Sequence, residues 1–489
     1  MGRSKKGSGD APDEGEEARG STFDGINISP ETSMVEQGTT GRFLVLLGDD
    51  AVDTGVQTLS RAAGLRTARM EGVEDAGADI GALADGEAIV FETLGVAVVA
   101  APSDQIQALR AVPAEESGML MIEPERIVYA LEGVWPINPD VPLSSTSSGP
   151  QSALVAQTTP QPMSAGAEYF RGLRDGVNYI VDQVLEGGNA AAGGLTGAGR
   201  AAALDESQLT WGLQVTRTAE SRFTGKGIRV AVLDTGFDVG HPDFMGRRIV
   251  TASFIPGQSV QDGHGHGTHC IGTACGPRQP GQLPRYGIAY EADIYAGKVL
   301  SNEGSGSDGG ILAGIQWAIN NGCQIVSMSL GAPTRLGQGY SRIFETAARR
   351  ALNAGTLIIA AAGNESSRRT GQIKPVGHPA NCPSIIAVAA IDQQLQVAYF
   401  SCGGLNPSGG QVDIAGPGYQ VRSSLPRPRL YGTSSGTSMA TPHVAGLAAL
   451  HAQANPDVVG GALGWLLLQS ARRLDLPTSD IGGGLVQAP

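Results

Sequence analysis

A serine at the start of a segment of small residues is the strongest candidate in this sequence for a reactive side chain. The segment reads Gly436-Thr437-Ser438-Met439-Ala440 and continues with small and apolar residues typical of a buried helix. Gly436 would allow a sharp turn, and the free N–H groups of the first helical turn would face negative charge that forms beside the serine oxygen. The same serine could instead be a helix N-cap. This segment alone leaves nucleophile and cap as equal interpretations.

Two further side chains could activate such a serine. Asp234 ends the apolar run 230–234, and His266 lies in the segment His264-Gly265-His266-Gly267-Thr268-His269. A serine hydroxyl becomes a good nucleophile when a histidine takes its proton, and a carboxylate that accepts the other ring N–H holds the histidine in the required tautomer. Aspartate after a strand is more often a turn former, and clustered histidines can bind zinc. No carboxylate completes a zinc-protease spacing, so the set Asp234, His266 and Ser438 favours acyl-transfer chemistry.

The chain resembles the subtilisin family of serine proteases from about Leu209 to its end. The resemblance rests on four segments that match the family's signature blocks in order: Asp234-Thr235-Gly236, His266-Gly267-Thr268-His269, Gly363-Asn364 and Gly436-Thr437-Ser438-Met439-Ala440. It implies that Ser438 is the nucleophile, His266 the general base and acid, and Asp234 the residue that orients the histidine. It also implies that the Asn364 amide, which would otherwise be read as part of a turn, binds the oxyanion together with the Ser438 backbone N–H.

The resemblance also implies where a polypeptide substrate would bind. Two strand edges, Ser329-Leu330-Gly331 and Gly304-Ser305-Gly306, would pair with an extended peptide from opposite sides, which recognises main chain irrespective of sequence. Ala362 and Gly363 would lie close to the substrate. Gly377 would form the floor of the pocket for the residue before the scissile bond, with Glu365 at its rim. Glycine at the floor leaves room for a large apolar or aromatic side chain.

The chemistry requires no cofactor, but the family resemblance raises the question of structural calcium. Asp243 matches one ligand of a calcium site, whereas the loop 276–288 lacks the asparagine-rich sequence that would supply the others. A weaker site made of backbone carbonyls near Ala380, Cys382 and Ile385 would need few side chains.

Composition limits the class of protein. The chain has 489 residues, 41% of them hydrophobic, and 71 glycines, which predicts two or three globular domains rich in tight turns. The net charge of −13 argues against nucleic acid as the main partner, and no stretch has the length and apolarity of a membrane span. Residues 1–20 lack the apolar run of a secretory signal, and five scattered cysteines suit a reducing compartment. We therefore expect a cytoplasmic protein or one exported without such a signal.

Residues 206–489 are predicted to form a doubly wound α/β domain with a mostly parallel sheet. Continuous apolar runs are typical of parallel strands buried on both faces. The predicted strands are 228–233, 294–299, 325–328, 357–361 and 385–389, and the predicted helices include 311–319 and 341–354. The ligand crevice of such a fold lies at the carboxyl ends of its strands.

The preceding part of the chain is predicted to contain a disordered acidic leader over 1–40, a small domain over 41–131, and a linker over 132–205 with one helix at 165–185. The small domain has predicted strands at 42–47 and 119–131, one or two strands within 88–101, and predicted helices at 51–63 and 103–112, an alternation that forms a small α/β domain. It resembles the ferredoxin-like, inhibitor-type propeptide of the same family. Its end implies autocatalytic cleavage between Leu131 and Glu132, with Val128 and Leu131 in the two main pockets. A cut near Asp205 is the alternative.

These inferences predict a serine endopeptidase made as a zymogen, with its own propeptide as inhibitor. Two other interpretations stay open. An acyl-enzyme captured by an amine would make the protein a peptide ligase or macrocyclase, and permanent self-inhibition would leave a binding module without activity.

Overall fold

The computed structural model of the protein describes residues 38–70, 83–131 and 204–489. The predicted leader up to residue 37, the linker helix at 165–185 and Glu132 lie outside these ranges. Gly38 to Pro489 belongs to one compact unit, in which a small domain packs against a large one.

The small domain is built on five strands and two main helices. The strands are β1 (Thr39–Leu47), β2 (Arg66–Met70), β3 (Glu87–Phe91), β4 (Val96–Ala100) and β5 (Met119–Ala130), and the helices are α1 (Val52–Ala63), α2 (Ser103–Ala111) and the single turn α3 (Ala114–Ser117). The strand order β5-β1-β4-β3 is antiparallel, which is the ferredoxin-like arrangement, and β2 adds to its edge in parallel with β3. The predicted fold of this domain is therefore confirmed, with one strand more than expected.

The small domain differs from the prediction in the start of its first strand and in the presence of strand β2. Strand β1 begins at Thr39, inside the predicted leader, because Thr39 pairs with Arg126 of β5 and this pairing draws polar residues into the sheet. Strand β2 has a polar sequence and partly exposed residues, so it lacks the apolar run by which strands were predicted. At an edge, pairing with one neighbour stabilises such a strand without burial of both faces.

The small sheet is buried on both faces because successive side chains of a strand point in opposite directions. Val45 and Leu47 of β1 pack in a core with the apolar side of α1 and α2. Leu44 and Leu46 belong to the core that continues into the large domain. The small domain thus uses one face of its sheet for its own fold and the other for docking.

The large domain contains a sheet of seven parallel strands, a short hairpin and two short edge strands among its described residues. Its strands are β6 (Arg229–Asp234), β7 (Ile249–Ser253), β8 (Asp293–Lys298), β9 (Ser305–Ser307), β10 (Ile325–Met328), β11 (Leu330–Gly331), β12 (Leu357–Ala361), β13 (Ile386–Ile391), β14 (Ile414–Pro417), β15 (Val421–Ser424) and β16 (Tyr431–Ser434). The main sheet has the order β14-β13-β12-β10-β6-β8-β7. The predicted doubly wound parallel sheet is confirmed.

The described part of the large domain contains seven α-helices. They are α4 (Trp211–Val215), α5 (His266–Cys275), α6 (Asp308–Asn320), α7 (Arg342–Asn353), α8 (Thr437–Ala454), α9 (Gly460–Ser470) and α10 (Thr478–Ile481). Helix α7 begins where the Ser341 side chain accepts the N–H of Phe344, as an N-cap does. Within the described part of the chain, no helix has both the length and the apolarity of a membrane span.

Strand β6 lies at the point where the connections of the main sheet change direction. The chain leaves β6 for β7 and β8 on one side and then returns to β10 on the other. In open parallel sheets this switch point, at the carboxyl ends of the strands, is where ligands bind. The last residue of β6 is Asp234, which therefore lies at the switch point.

Candidate active site

Asp234 and His266 form a buried pair at the switch point. His266 is the first residue of α5, and its Nδ1 lies 2.7 Å from Asp234 Oδ1. Because an ionised carboxylate can only accept, Nδ1 carries the hydrogen and Nε2 is left as the base. The same Asp234 oxygen accepts the N–H of Thr235 at 2.7 Å, which holds the carboxylate in place.

The pair has a clear effect on the pKa of His266. Burial alone lowers this pKa, but the adjacent Asp234 carboxylate outweighs burial, so the pKa is well above the usual histidine value. Cys270 lies 3.9 Å from His266 Nδ1. Burial raises the pKa of the Cys270 thiol, which therefore stays protonated near pH 7, and its proximity contributes with Asp234 to the raised pKa of His266. Asp234 is the group that stabilises the imidazolium.

Asp262 fixes the start of α5 and with it the position of His266. Its Oδ1 accepts the N–H of Gly265 at 2.8 Å, and its Oδ2 accepts the N–H of Thr268 at 2.9 Å. Asp262 was not among the residues predicted from the sequence. An aspartate four residues before His266, at the expected start of a helix, is the signal that could have found it, since acidic side chains satisfy free N–H groups there.

Ser438 is not the N-cap of its helix. The N-cap of α8 is Gly436, at φ 155° and ψ 161°, a region that only glycine occupies without strain. Ser438 lies in the first turn, and its Oγ lies 2.5 Å from the carbonyl oxygen of Leu131. His266 Nε2 has no hydrogen-bond partner among the described residues, so the serine hydroxyl faces the Leu131 carbonyl rather than the histidine. The cap interpretation of Ser438 is therefore wrong.

Pro442 explains why the backbone of Ser438 can bind side chains. A proline inside a helix has no N–H for the carbonyl four residues earlier. In α8 that carbonyl belongs to Ser438, and it accepts the Ser329 hydroxyl at 2.8 Å and the Cys270 thiol at 3.6 Å. The free Ser438 carbonyl thus connects helix α8 to Ser329, between β10 and β11, and to Cys270 of helix α5.

Asn364 directs its amide nitrogen at the Leu131 carbonyl, which the Ser438 hydroxyl also faces. Its Nδ2 donates to Leu131 O at 2.7 Å, while its Oδ1 accepts the N–H of Thr437 at 2.8 Å and the Thr437 hydroxyl at 2.9 Å. Since Oδ1 receives two donors, the amide has one orientation that satisfies it. Thr437 was not singled out from the sequence as a positioning residue, although it stands beside Ser438.

The end of β5 lies in a cleft between the two predicted substrate-binding edges. Val128 and Tyr129 pair with Gly306 and Ser305 of β9, while Ala130 pairs with Leu330 of β11. Two further bonds complete the pairing: Ala130 N donates to Gly304 O at 2.8 Å, and Leu131 N donates to Ser329 O at 3.3 Å. The cleft therefore holds an extended peptide by its main chain, with the Leu131 carbonyl at Ser438 and Asn364.

Gly331 lies against the Leu131 side chain, and the predicted pocket residues Gly377 and Gly363 are tightly packed against their own neighbours. A Cβ on Gly331 would lie 3.5 Å from Leu131 Cδ1, and a Cβ on Gly377 would lie 2.9 Å from the Ala332 carbonyl oxygen. Gly363 has φ +118°, and a Cβ there would come within 2.5 Å of Glu365 Oε2. Leu131 is 8% exposed in this pocket.

Glu365 at the predicted pocket rim and Ala362 beside the predicted substrate are also positioned by hydrogen bonds. The Cys402 thiol donates to Glu365 Oε2 at 3.1 Å, and burial together with Glu365 raises the pKa of this thiol to about 12. Ala362 is fully buried, and its carbonyl accepts the N–H of Gly377 at 2.9 Å. Ala362 therefore connects the pocket floor to strand β12 and presents backbone rather than a side chain.

The three clustered histidines do not converge on a metal. His269 Nε2 lies 3.0 Å from the carbonyl oxygen of Val421, and burial lowers the pKa of His269 to about 3. Among the described residues, one group has donor atoms close enough to hold an ion, and it consists of Asp234, His266 and Cys270. In that group Nδ1 of His266 already donates to Asp234, so the donor set fits proton transfer better than metal binding.

The calcium role of Asp243 stays a prediction, and in the structure both of its carboxylate oxygens accept hydrogen bonds from protein donors. Its Oδ2 accepts the Tyr286 hydroxyl at 2.6 Å, and its Oδ1 accepts the Tyr431 hydroxyl at 2.9 Å and the N–H of Gly281 at 2.8 Å. Burial and the bond to Asp243 raise the pKa of Tyr431 to about 12, so its hydroxyl remains a donor near pH 7. Both carboxylate oxygens hold neutral donors, which makes Asp243 a clamp for the loop 276–288.

The clamp predicts a stability effect that is independent of calcium. Asp243→Asn replaces one of the two acceptor oxygens with a donor, which leaves a tyrosine hydroxyl unpaired and should lower the free energy of unfolding by about 1–3 kcal/mol. The same loss is expected in excess calcium and in excess EDTA, as measured by thermal unfolding of the Ser438→Ala chain. Tyr431→Phe should produce a smaller loss in both buffers. A loss seen with calcium but absent with EDTA would contradict the clamp.

The second calcium hypothesis stays a prediction. The carbonyl of Cys382 accepts the N–H of Ile385 at 3.0 Å, so this carbonyl already has a donor within the turn.

Comparisons with known proteins agree with this geometry. The model of the subtilase family matches residues 225–484. Subtilisin E of Bacillus subtilis is 40% identical over 262 residues, which are 53% of this chain and 62% of subtilisin E. A thermostable alkaline protease of Halalkalibacterium halodurans is 42% identical over 284 residues, covering 57% of this chain and 72% of that protein. Subtilisin Savinase of Lederbergia lenta is 39% identical over 284 residues, covering 57% of this chain and 97% of that protein.

A solved structure shows the same similarity in three dimensions. Sphericase superposes with a TM-score of 0.50 and 31% sequence identity, over 59% of this chain and 100% of that one. The matched region spans less than two thirds of subtilisin E. The family model nevertheless covers more than half of this chain and includes all four signature segments. The chain belongs to the subtilase family.

Proposed function

We propose that the protein is a serine endopeptidase made as a self-inhibited zymogen that cleaves its own chain after Leu131. One observation carries this proposal: the Leu131 carbonyl oxygen lies 2.5 Å from Ser438 Oγ and 2.7 Å from Asn364 Nδ2. A nucleophile and an oxyanion donor thus meet at one carbonyl of an extended peptide. Membership in the subtilase family supports the same chemistry.

The proposed reaction begins with proton transfer from Ser438 to His266. Rotation of the serine side chain from the Leu131 oxygen brings its hydroxyl to Nε2, which takes the proton as Oγ bonds to the Leu131 carbonyl carbon. Asn364 and the Ser438 N–H stabilise the oxyanion, and Asp234 stabilises the imidazolium. His266 then gives the proton to the departing nitrogen of Glu132. Water, deprotonated by the same histidine, then attacks the acyl carbon; as the bond to Ser438 Oγ breaks, His266 returns the proton to Oγ, and Leu131 leaves with a carboxyl group that ionises in solvent.

The pockets support a preference for apolar side chains. Leu131 fills the pocket before the scissile bond, and Val128, three residues earlier, is completely buried in the core of the large domain. Burial of each such side chain stabilises the complex by about 1.5–3 kcal/mol. We therefore expect substrates with large aliphatic or aromatic residues at the position of Leu131 and medium aliphatic residues at the position of Val128.

Continued binding of the small domain after cleavage would make it an inhibitor. Glu123 accepts the Ser341 hydroxyl at 2.7 Å and the N–H of Arg342 at 3.1 Å, at the start of α7. Glu125 accepts the N–H of Gly309 at 2.9 Å, at the start of α6. Carboxylates at helix starts are stabilising. These contacts do not depend on the bond after Leu131, so they persist when it is cut.

Asp205 is a weaker candidate for the processing site. Its carbonyl oxygen accepts the side-chain amide of Gln214 in α4 at 2.8 Å. In the structure, the residue held in the cleft is Leu131.

The test compares the N-termini of two purified chains by intact mass and peptide mapping. The wild-type chain is expected to yield a fragment that begins at Glu132, while Ser438→Ala stays uncut. A fragment that begins near Glu206 would move the processing site, and identical termini in both chains would contradict autoprocessing. Reaction of the wild type with a fluorophosphonate probe, compared with Ser438→Ala, tests the nucleophile separately from the cut.

Loss of the Asn364 donor should reduce turnover without much change in KM. Asn364→Leu keeps the side-chain size but removes the N–H that faces the Leu131 carbonyl, and we expect kcat to fall about 10²–10³-fold, as for the matching donor of subtilisin. The measurement is steady-state hydrolysis of a peptide with leucine before the scissile bond. Thr437→Ser, which keeps the hydroxyl that orients Asn364, is the control and should retain most activity. A loss confined to KM would contradict the oxyanion role.

A further inference from the structure

A carboxylate that the proposed mechanism does not use lies at the far end of the cleft. Asp308 is the first residue of α6, and its side chain is completely buried. His378, itself 3% exposed, places Nε2 2.9 Å from Asp308 Oδ1. The start of a helix favours negative charge, and a neighbouring histidine N–H orients the carboxylate. Both features hold an anionic group at this point.

The other oxygen of Asp308 faces the peptide in the cleft. Asp308 Oδ2 accepts the N–H of Arg126 at 3.1 Å and lies 3.7 Å from Arg126 Nη1. The ladder between β5 and β9 ends with the pair Ile127 and Ser307. Asp308 therefore extends the main-chain pairing by one residue and also meets the side chain at that position.

Strand geometry directs the Arg126 side chain toward the large domain. Side chains two residues apart lie on the same face of a strand. Val128 is completely buried against the large domain, and Arg126, two residues before it on the same face, has a side chain that is 25% exposed. Tyr129, on the opposite face, is 47% exposed. The position of Arg126 is thus part of the peptide surface that the cleft recognises.

The charges around this position are mostly negative. Glu123 lies 3.9 Å from Arg126 Nη1, but it belongs to the small domain and leaves with it. The pKa of the buried Cys382 thiol shows which charges lie nearby. Burial raises this pKa most, and the carboxylates of Glu345, Glu123 and Asp308 raise it further, whereas the Arg126 guanidinium lowers it. When a substrate replaces the small domain, Asp308 and Glu345 remain and the arginine does not.

We propose that Asp308, oriented by His378, forms an acidic subsite that selects a basic residue, arginine above all, at the sixth position before the scissile bond of a peptide substrate. This inference rests on the proposed endopeptidase function. The aspartate anchors the substrate backbone by its N–H, and the guanidinium pairs with the same carboxylate. The subsite adds charge selection to a cleft that otherwise reads main chain and apolar side chains.

The test uses protein expressed as the full chain and activated until it reacts with a fluorophosphonate probe. Two peptides are compared that differ only in arginine or citrulline at the sixth position before the bond, since citrulline keeps the shape but lacks the charge. Wild type is expected to cleave the arginine peptide with a kcat/KM about fivefold higher. Asp308→Asn should abolish the difference. Glu303→Gln removes an exposed carboxylate beside β9 and should retain it.

Two outcomes would overturn the subsite: equal rates on both peptides in wild type, or a preference for arginine that survives Asp308→Asn. A third peptide that lacks the sixth residue separates this failure from failure of the proposed function. Its cleavage by wild type shows that the protease function stands even when the subsite does not.

A second measurement decides the question if no peptide is cleaved. The full chain carrying Ser438→Ala is unfolded with denaturant, first by itself and then combined with Arg126→Gln, with Asp308→Asn and with both changes. Contact between the two side chains predicts that the double variant loses less stability than the two single losses combined. Additive losses would overturn the contact on which the subsite rests.

Discussion

Ser438→Ala is expected to lower kcat by about a millionfold and to leave the chain uncut after Leu131. Without Oγ no acyl-enzyme forms, and the remaining oxyanion donors act only on direct attack by water. The fold should survive, because the Leu131 carbonyl keeps its bond to Asn364 and the Ser438 carbonyl keeps its bonds to Ser329 and Cys270. The measurement is turnover of a peptide with leucine before the scissile bond, together with fluorophosphonate labelling.

Ser435→Ala is the matched control for this variant. Ser435 is a partly exposed serine three residues earlier, and its Oγ accepts the N–H of Gln420 at 2.9 Å. It should retain labelling and most turnover. Activity of Ser438→Ala above about one per cent of wild type would contradict the nucleophile assignment, because no second serine can replace an oriented one at that level.

Asp234→Asn is expected to lower kcat by about 10⁴-fold and to move the acid limb of the pH profile downward. The base must be neutral to accept the proton of Ser438, whereas Asp234 stabilises its protonated form and raises its pKa above the usual 6.5. Wild-type kcat should therefore fall as pH drops through a value above 6.5. In the variant the Asp234 charge is absent while burial still opposes protonation of His266, so the limb should lie at lower pH than in the wild type. The pH profile of kcat reports the enzyme with a peptide in the cleft, and the structure has Leu131 in that cleft.

Asp238→Asn separates this effect from general damage to a buried carboxylate. Asp238 is equally buried, and its carboxylate receives the Arg427 guanidinium at 2.8 Å. Burial opposes ionisation of Asp238, but the Arg427 hydrogen bonds outweigh it and hold its pKa well below the usual range. Its loss should reduce stability near neutral pH while the acid limb of kcat stays in place. An unchanged limb in Asp234→Asn would contradict the role of Asp234.

Much of the fold could be predicted because its central strands are apolar throughout. Strands β10 and β12 coincide with the predicted runs 325–328 and 357–361. Strand β7 was missed because it is an edge strand with partly exposed residues, and β14 was missed because it contains glycine and proline. Pattern-based prediction depends on continuous burial, which edges and bends do not require.

Asp234, His266 and Ser438 could be named in advance because they have the chemical types that acyl transfer demands, whereas Asn364 was implied by the resemblance to the subtilisin family. A nucleophile, a base, a carboxylate and an amide are few among many residues, and their order along the chain limits the choice further. Their supporting partners could not be named in this way. Thr437 acts by orienting Asn364, which is distant in sequence, and Pro442 acts through a helix whose boundaries decide which carbonyl is free.

The amino-acid sequence determines the reactive groups and the parallel sheet that carries them, since chemical type and apolar runs are properties of local segments. Tertiary packing determines whether Ser438 is a cap or a nucleophile, because that depends on where helix α8 begins and on what its hydroxyl meets. It also brings two tyrosine hydroxyls to Asp243 and Arg126 to Asp308. Those outcomes depend on distances between residues far apart in the chain, and no local pattern records such distances.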